Sequence, residues 1–236
     1  MKMFRLFLVS IFAMVGAAQA SEKSVYDFSW LDQDKEIYVL QNRKFRKDGK
    51  FYIGGNGVKT LSGAFIDSYG VSLRAGYFFK EDWGVEFLYG KNSGDENGTA
   101  TSVKKQGTVP FYRKIDSYYG GLLTWSPFYA KINTFNQIFY YDWTFGAGLA
   151  SVKTQDNRAK FNAIPSDALT SEDAVAGIWN IGFRFYLTQS WSLRFDFTGF
   201  HYQADKTLRQ GTGGAVTKEK SLNSTYDMGF GLNYSF

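Results

Sequence analysis

The sequence predicts an all-β fold, an eight-stranded antiparallel transmembrane β-barrel, and three observations carry that reading. Long segments alternate large apolar residues with small or polar ones, and a period of two belongs to strands. Aromatics and glycine are enriched together, with 23 Phe, 16 Tyr, 6 Trp and 25 Gly in 236 residues. Mean hydropathy is only -0.29, and beyond the first twenty residues no apolar run approaches the length of a helical span, so a membrane crossing here must use strands.

Met1–Ala20 comes first: Lys2 and Arg5 form a basic start, Leu6–Gly16 an apolar stretch broken by Ser10, and Ala18-Gln19-Ala20 a small-residue box. This reads as a secretory signal peptide cleaved after Ala20. Its removal takes away two of the charges behind the formal +5, which leaves a weakly basic exported chain and argues against nucleic acid as a partner. Zero cysteines exclude a disulfide scaffold and a thiolate metal site, and one histidine leaves little imidazole chemistry, so no metal or other cofactor is expected.

Residues 21–50 break the alternation and form a separate N-terminal segment. It contains the basic run Asn42–Lys50, which either touches anionic headgroups or a periplasmic partner, or orders against the barrel mouth. The barrel is expected over 51–236. Its strands are Phe51–Val58, Ser68–Phe79, Trp83–Gly90, Asp116–Trp125, Phe139–Ala150, Val175–Thr188, Trp191–Thr198 and Leu222–Phe236. Tyr69, Val71, Leu73, Ala75 and Tyr77 share one face of the second strand, and Ser68, Gly70, Ser72, Arg74 and Gly76 the other. A ten-stranded barrel stays open as an alternative if Lys35–Gln41 and Lys131–Gln137 also pair.

A soluble sandwich would alternate too, hydrating its polar face. Here the polar faces are rich in Gly, which suits a crowded lumen, and the apolar faces end in Trp83, Tyr89, Trp125, Trp191 and Tyr234, as interfacial girdles do. The apolar face therefore meets lipid. Lys80–Asp82 and Gln189–Ser190 read as tight turns, and Ser126–Gln137 as a longer connection on the same rim. Ser93–Arg113, Lys153–Asp173 and Asp205–Ser221 read as long polar loops on the other rim. An even strand count puts both termini on the periplasmic side and the long loops outside the cell.

Val39–Phe51, Tyr77–Phe87, Trp125–Lys131 and Asp142–Gly148 resemble the small outer-membrane β-barrel proteins, most closely the family described from myxobacteria and related predatory bacteria. The resemblance implies a barrel of the OmpA or OmpW shape in a Gram-negative outer membrane, and it brings no agreed activity. The final Gly231–Phe236 resembles the signal read by the barrel-assembly machinery, with Tyr234 and Phe236 as the alternating aromatics. Outer-membrane lipids and lipopolysaccharide are the other expected partners, with a monomer as the assembly.

Seven ionisable residues face inward by this alternation: Arg74, Glu86, Asp142, Arg184, Arg194, Asp196 and Asp227. Buried charges must pair, and eight strands leave room for side chains alone, so a salt-bridged plug is expected. The function that follows is structural or surface-interacting. The alternatives are a narrow pore for small solutes, or a lipid A-modifying enzyme built on His201. Nucleophilic catalysis needs a hydroxyl beside the base and an acid to orient it. Asp205 is a candidate orienter, no Ser stands out from the sequence as nucleophile, and Gln203 occupies the position where the deacylase pattern has its Ser, so no catalytic residue is expected. Arg158 and Glu172 read equally well as part of a binding surface and as solvated loop tips, and the loop ligand is not legible.

Overall fold

A computed structural model describes residues 43–134, 137–161, 168–205 and 220–236. The signal-peptide expectation and the Lys35–Gln41 strand lie outside these residues. Eight strands follow in chain order: β1 (Phe51–Thr60), β2 (Ile66–Phe78), β3 (Trp83–Glu96), β4 (Arg113–Thr134), β5 (Gln137–Asp156), β6 (Thr170–Tyr186), β7 (Trp191–Asp205) and β8 (Lys220–Ser235). Each pairs antiparallel with its sequence neighbours, and β1 pairs with β8 from Tyr52↔Ser235 to Thr60↔Asp227, which closes the ring. Closure satisfies the backbone polar groups that lipid cannot.

Faces follow the alternation. On β3, Val85, Phe87 and Tyr89 are exposed, while Glu86 and Leu88 are buried. Exposed Trp83, Trp125 and Trp191 stand at the turn-side rim, and Trp83 stacks on Trp125 across the β3–β4 pair. Two inward glycines matter through close approach. Gly76 stands opposite Tyr52 and Gly90 opposite Tyr118, and in each case a Cβ would collide with the tyrosine ring lying over the glycine.

The connection expected over Ser126–Gln137 is corrected. β4 and β5 continue past the rim as a two-stranded ribbon, paired from Phe128↔Trp143 to Thr134↔Gln137, after a register shift between Trp125 and Phe128. Ser126-Pro127 looks like a turn in the sequence and instead forms a bulge, which bends the strand without ending pairing. The pairing of Lys131–Thr134 therefore lengthens an existing strand and does not add one; the ring holds eight.

The opposite rim carries the longer connections. Strands β3, β5, β6 and β7 run at least five residues further there than the sequence alternation shows, because toward that rim the contrast between the two faces fades. An eight-residue helix, α1 (Gly98–Lys105), sits between β3 and β4, capped by the Asn97 side chain, which accepts from the Ala100 N–H at 3.0 Å. A short 3-10 turn follows β5 at Arg158–Phe161. Asn157 ties the two connections together by donating to the Pro110 carbonyl at 2.8 Å and accepting from the Tyr112 N–H at 3.0 Å.

Candidate functional site

The lumen is filled in layers. In its middle, Glu86 on β3 receives Arg74 from β2 and Arg194 from β7, and the Tyr52 hydroxyl from β1 also donates to it. Arg194 turns its Nε to Asp196 at 2.8 Å, Arg74 Nε lies 3.6 Å from the same carboxylate, and Asn56 donates to it at 2.8 Å. Two guanidiniums thus share two carboxylates. Arg74 also donates to Thr198 at 3.3 Å, and Asn180 bridges Arg194 and Thr198. All four charged residues are almost fully buried, where such pairs hold only if their remaining donors find acceptors.

Asp142 and Arg184 belong to a second group nearer the turn rim. Asp142 accepts from the Tyr186 hydroxyl at 2.7 Å and from Lys47 Nζ at 2.7 Å. Lys47 comes from the strap that precedes β1 and also donates to Ser126 at 2.6 Å. Arg184 stacks its guanidinium over the Tyr52 and Phe78 rings at 4.7 and 5.5 Å, and its Nε and Nη2 have no hydrogen-bond partner among the described residues. Asp227 stands apart from both groups. Its Oδ1 accepts from Thr60 at 2.7 Å, and no ion pair reaches it among the described residues. The seven inward charges therefore fall into three places and not one network.

The strap closes the turn-side mouth. Phe45 stacks on Tyr186 with centroids 4.7 Å apart and meets Tyr140 edge-on at 5.3 Å. Glu81 accepts from the Lys47 and Asp48 amides at 3.0 and 3.2 Å, and Arg43 pairs with Asp82 at 2.8 Å. Burial works against the Arg43 charge, but Asp82 and Glu81 outweigh it and raise its pKa. Of the basic run read from the sequence, Lys47 packs inward and Lys44 and Arg46 face out.

On the loop side the lining changes character. Leu88, Ile115, Tyr118, Leu122, Val152, Ile178, Phe200 and Tyr202 pack as one buried apolar cluster inside the barrel. The polar lining expected from the alternation is thus corrected for this half. A rim cluster covers it: Arg113 pairs with Asp156 at 2.9 Å, and Arg158 reaches Asp156, Glu172 and Asp205 at 3.0, 2.7 and 3.3 Å. Burial opposes the Arg158 charge, and Glu172 leads the acids that outweigh it, so its pKa is raised. Arg158 and Glu172 are consequently partners of one another and not solvated tips.

His201 is on the outer face of β7, between strands and not against a loop. The Trp179 indole N–H donates to its Nε2 at 2.9 Å, and its Nδ1 is 2.9 Å from Ser224 Oγ. Ser224 is the hydroxyl neighbour that the sequence hid, because it lies on β8, opposite His201 in the pairing. An indole can only donate, so Nε2 accepts and the neutral ring carries its proton on Nδ1, facing the serine. A general base would need that nitrogen free to accept. Asp205 is engaged by Arg158 and does not orient the ring. Tyr234 and Phe236 lie on the outer face beside Trp191, with centroids 5.1 Å apart for both Tyr234 contacts.

Lys47, Tyr52, Asn56 and the rim cluster were missed from sequence, whereas Asn180, Tyr186 and Thr198 fall on the inward faces of the alternation and only their pairing with the charges was missed. A signal existed for Tyr52 and Asn56, which fall on the inward face once Phe51 and Ile53 point out. Lys47 carries none, since it precedes the first strand.

The family model for the outer membrane protein beta-barrel domain matches residues 6–236. The N-terminal barrel domain of OprF from Pseudomonas aeruginosa is similar at 15% identity, with 80% of this chain and 98% of that one covered and a TM-score of 0.45. OprG from the same organism is similar at 15% identity over 81% and 98%, with a TM-score of 0.43. Ail from Yersinia pestis is similar at 11% identity over 80% and 99%, with a TM-score of 0.40. No curated protein sequence matches the chain.

Proposed function

The chain belongs to the outer membrane protein β-barrel domain family, and from that premise we propose that it is a closed, non-conducting barrel with a structural or surface-interaction role. The observation that supports this most directly is the lumen filled at every level, by the strap, the ion-paired layer, the apolar cluster and the rim ion pairs. An aqueous path needs a polar lining throughout, and an apolar constriction blocks it by excluding water. In this reading the loop rim faces outside the cell, the termini lie in the periplasm, and the protein works as a monomer. Outer-membrane lipids, lipopolysaccharide and the assembly machinery that reads Tyr234 and Phe236 are its partners. The loops present the variable surface, as connections on rigid scaffolds do. No catalysis belongs to the reading, because the Trp179 bond fixes His201 in the tautomer unsuited to activating Ser224.

A narrow pore is the second reading. It draws on polar atoms of the turn-side half that have no protein partner among the described residues, on Arg184, Asp142, Ser192 and Asn233. Planar-bilayer recording of the refolded protein separates the two. Electrical silence is expected; discrete single-channel steps would overturn the closed barrel. Lipid A mass spectra from cells expressing the protein should be unchanged, and a lost or added acyl chain would return His201 to the active-site reading.

A further inference from the structure

We propose that the outer face of β3, β4 and β5 near the loop rim carries a binding site for a phosphorylated lipid. Lys91, Ser117 and Lys153 stand in one cross-strand row, Lys91 opposite Ser117 and Ser117 opposite Lys153. Both lysines are exposed, and neither makes an ion pair among the described residues, although Asp173 stands opposite Lys153 on β6. The two ammonium groups project from strands about 10 Å apart, with a hydroxyl between them, a spacing that a phosphate-bearing headgroup spans. Lys59 on β1 adds a further cation on the same outer surface and lies 5.3 Å from the centre of the Tyr69 ring.

What lies below the row selects a lipid and not a free anion. Tyr89 and Tyr119, both exposed and opposite one another, come next toward the membrane, followed by Phe87, Gly121 and Leu149. Gly121 has open space where a side chain would stand, so a trough runs between the flanking side chains. It continues into an apolar groove of about 670 Å³ lined by Val85, Phe87, Gly121, Leu123 and, further round, Phe51 and Phe236. A basic row above aromatics above an apolar trough has the amphipathic order of one lipid molecule, phosphate at the top and acyl chain beneath. The site deepens the reading that this rim faces the outer leaflet, although its chemistry is independent of that orientation.

The test uses the full barrel in micelles, with retained lipid measured by native mass spectrometry. The probes are bis-phosphorylated lipid A, the same lipid with its phosphates removed, and phosphatidylglycerol. Lipid A is expected to be retained and its dephosphorylated form not. Lys91→Glu combined with Lys153→Glu should weaken retention by about tenfold or more, since each surface lysine contributes about 1 kcal/mol toward an anionic lipid. Lys131→Glu, on the ribbon at the opposite rim, should change nothing. Stronger retention of phosphatidylglycerol than of lipid A would keep the phosphate site and assign it to a phospholipid. Equal retention of both lipid A forms, or full retention by a double variant that still shows heat-modifiable migration, would overturn the site. Orientation is read separately, by labelling a Thr101→Cys variant in intact cells with a membrane-impermeant maleimide. An unlabelled cysteine beside intact lipid retention would refute the orientation and leave the site standing.

Discussion

The two halves of the lumen are lined by the same strands and closed by different physics. Toward the turns, Arg74, Glu86, Arg194 and Asp196 fill the space with charge, held by reciprocal pairing. Toward the loops, Leu88, Leu122, Ile178 and Phe200 fill it with apolar volume that needs no partners. A charged layer is specific and brittle, because removing one member strands the others without water to replace it. An apolar layer is forgiving in composition and sensitive to volume. The difference teaches that a polar face in the strand pattern says which residues enter a barrel, and the height along the strand decides which kind of closure they make.

The largest effect is expected at Glu86. Glu86→Ala removes the acceptor common to Arg74, Arg194 and Tyr52, and leaves two buried guanidiniums with Asp196 as the one carboxylate of their layer. Stability should fall by about 3–5 kcal/mol, read as a lowered urea midpoint for the barrel in lipid vesicles. A loss below 1 kcal/mol would mean that solvent already reaches this layer and that the charged half is not closed.

Leu122→Ala tests the other half. The buried side chain is expected to be worth about 2–3 kcal/mol through lost packing, less than Glu86 because neighbours can relax into the space. Conductance sharpens the contrast. Arg194→Ala alone should stay silent in planar bilayers, since the apolar layer and the rim ion pairs remain above it and the strap below. Steps from the single variant would show that the charged layer is the sole barrier.

Legibility in the sequence divides along the same line. Where inward positions are polar and outward ones apolar, as in Ser68–Tyr77 and Trp83–Gly90, strands and faces can be read directly. In the apolar layer both faces are apolar, as in Tyr118-Tyr119 and Leu122-Leu123, and the period of two fades although the strand continues. Charge pairing is harder again. Glu86 meets Arg194 from across the ring, a contact set by the closure of the barrel and not by spacing along the chain. Ser224 beside His201 was hidden for a related reason, since β7 and β8 are joined through a long connection and their register is not fixed by a tight turn. The ribbon of β4 and β5 escaped because Pro127 marks a turn in most settings and here marks a bulge.

The smallest expected effect compares two basic residues of one strap. Lys47 is buried against Asp142, and Lys47→Met leaves that carboxylate with the Tyr186 hydroxyl and the charge of Arg184 nearby. Because Arg184 takes up part of the lost interaction, the cost should fall below that at Glu86, about 1–3 kcal/mol. Arg43 pairs with Asp82 at the edge of the mouth, where water screens the bond, so Arg43→Ala should cost below about 1 kcal/mol. Limited trypsin digestion at Arg46 reads both, because cleavage requires the strap to leave the mouth. Faster cleavage is expected in Lys47→Met and near-wild-type cleavage in Arg43→Ala. The reverse order would place the anchor of the strap at its exposed end and remove Lys47 from the closure of the charged half.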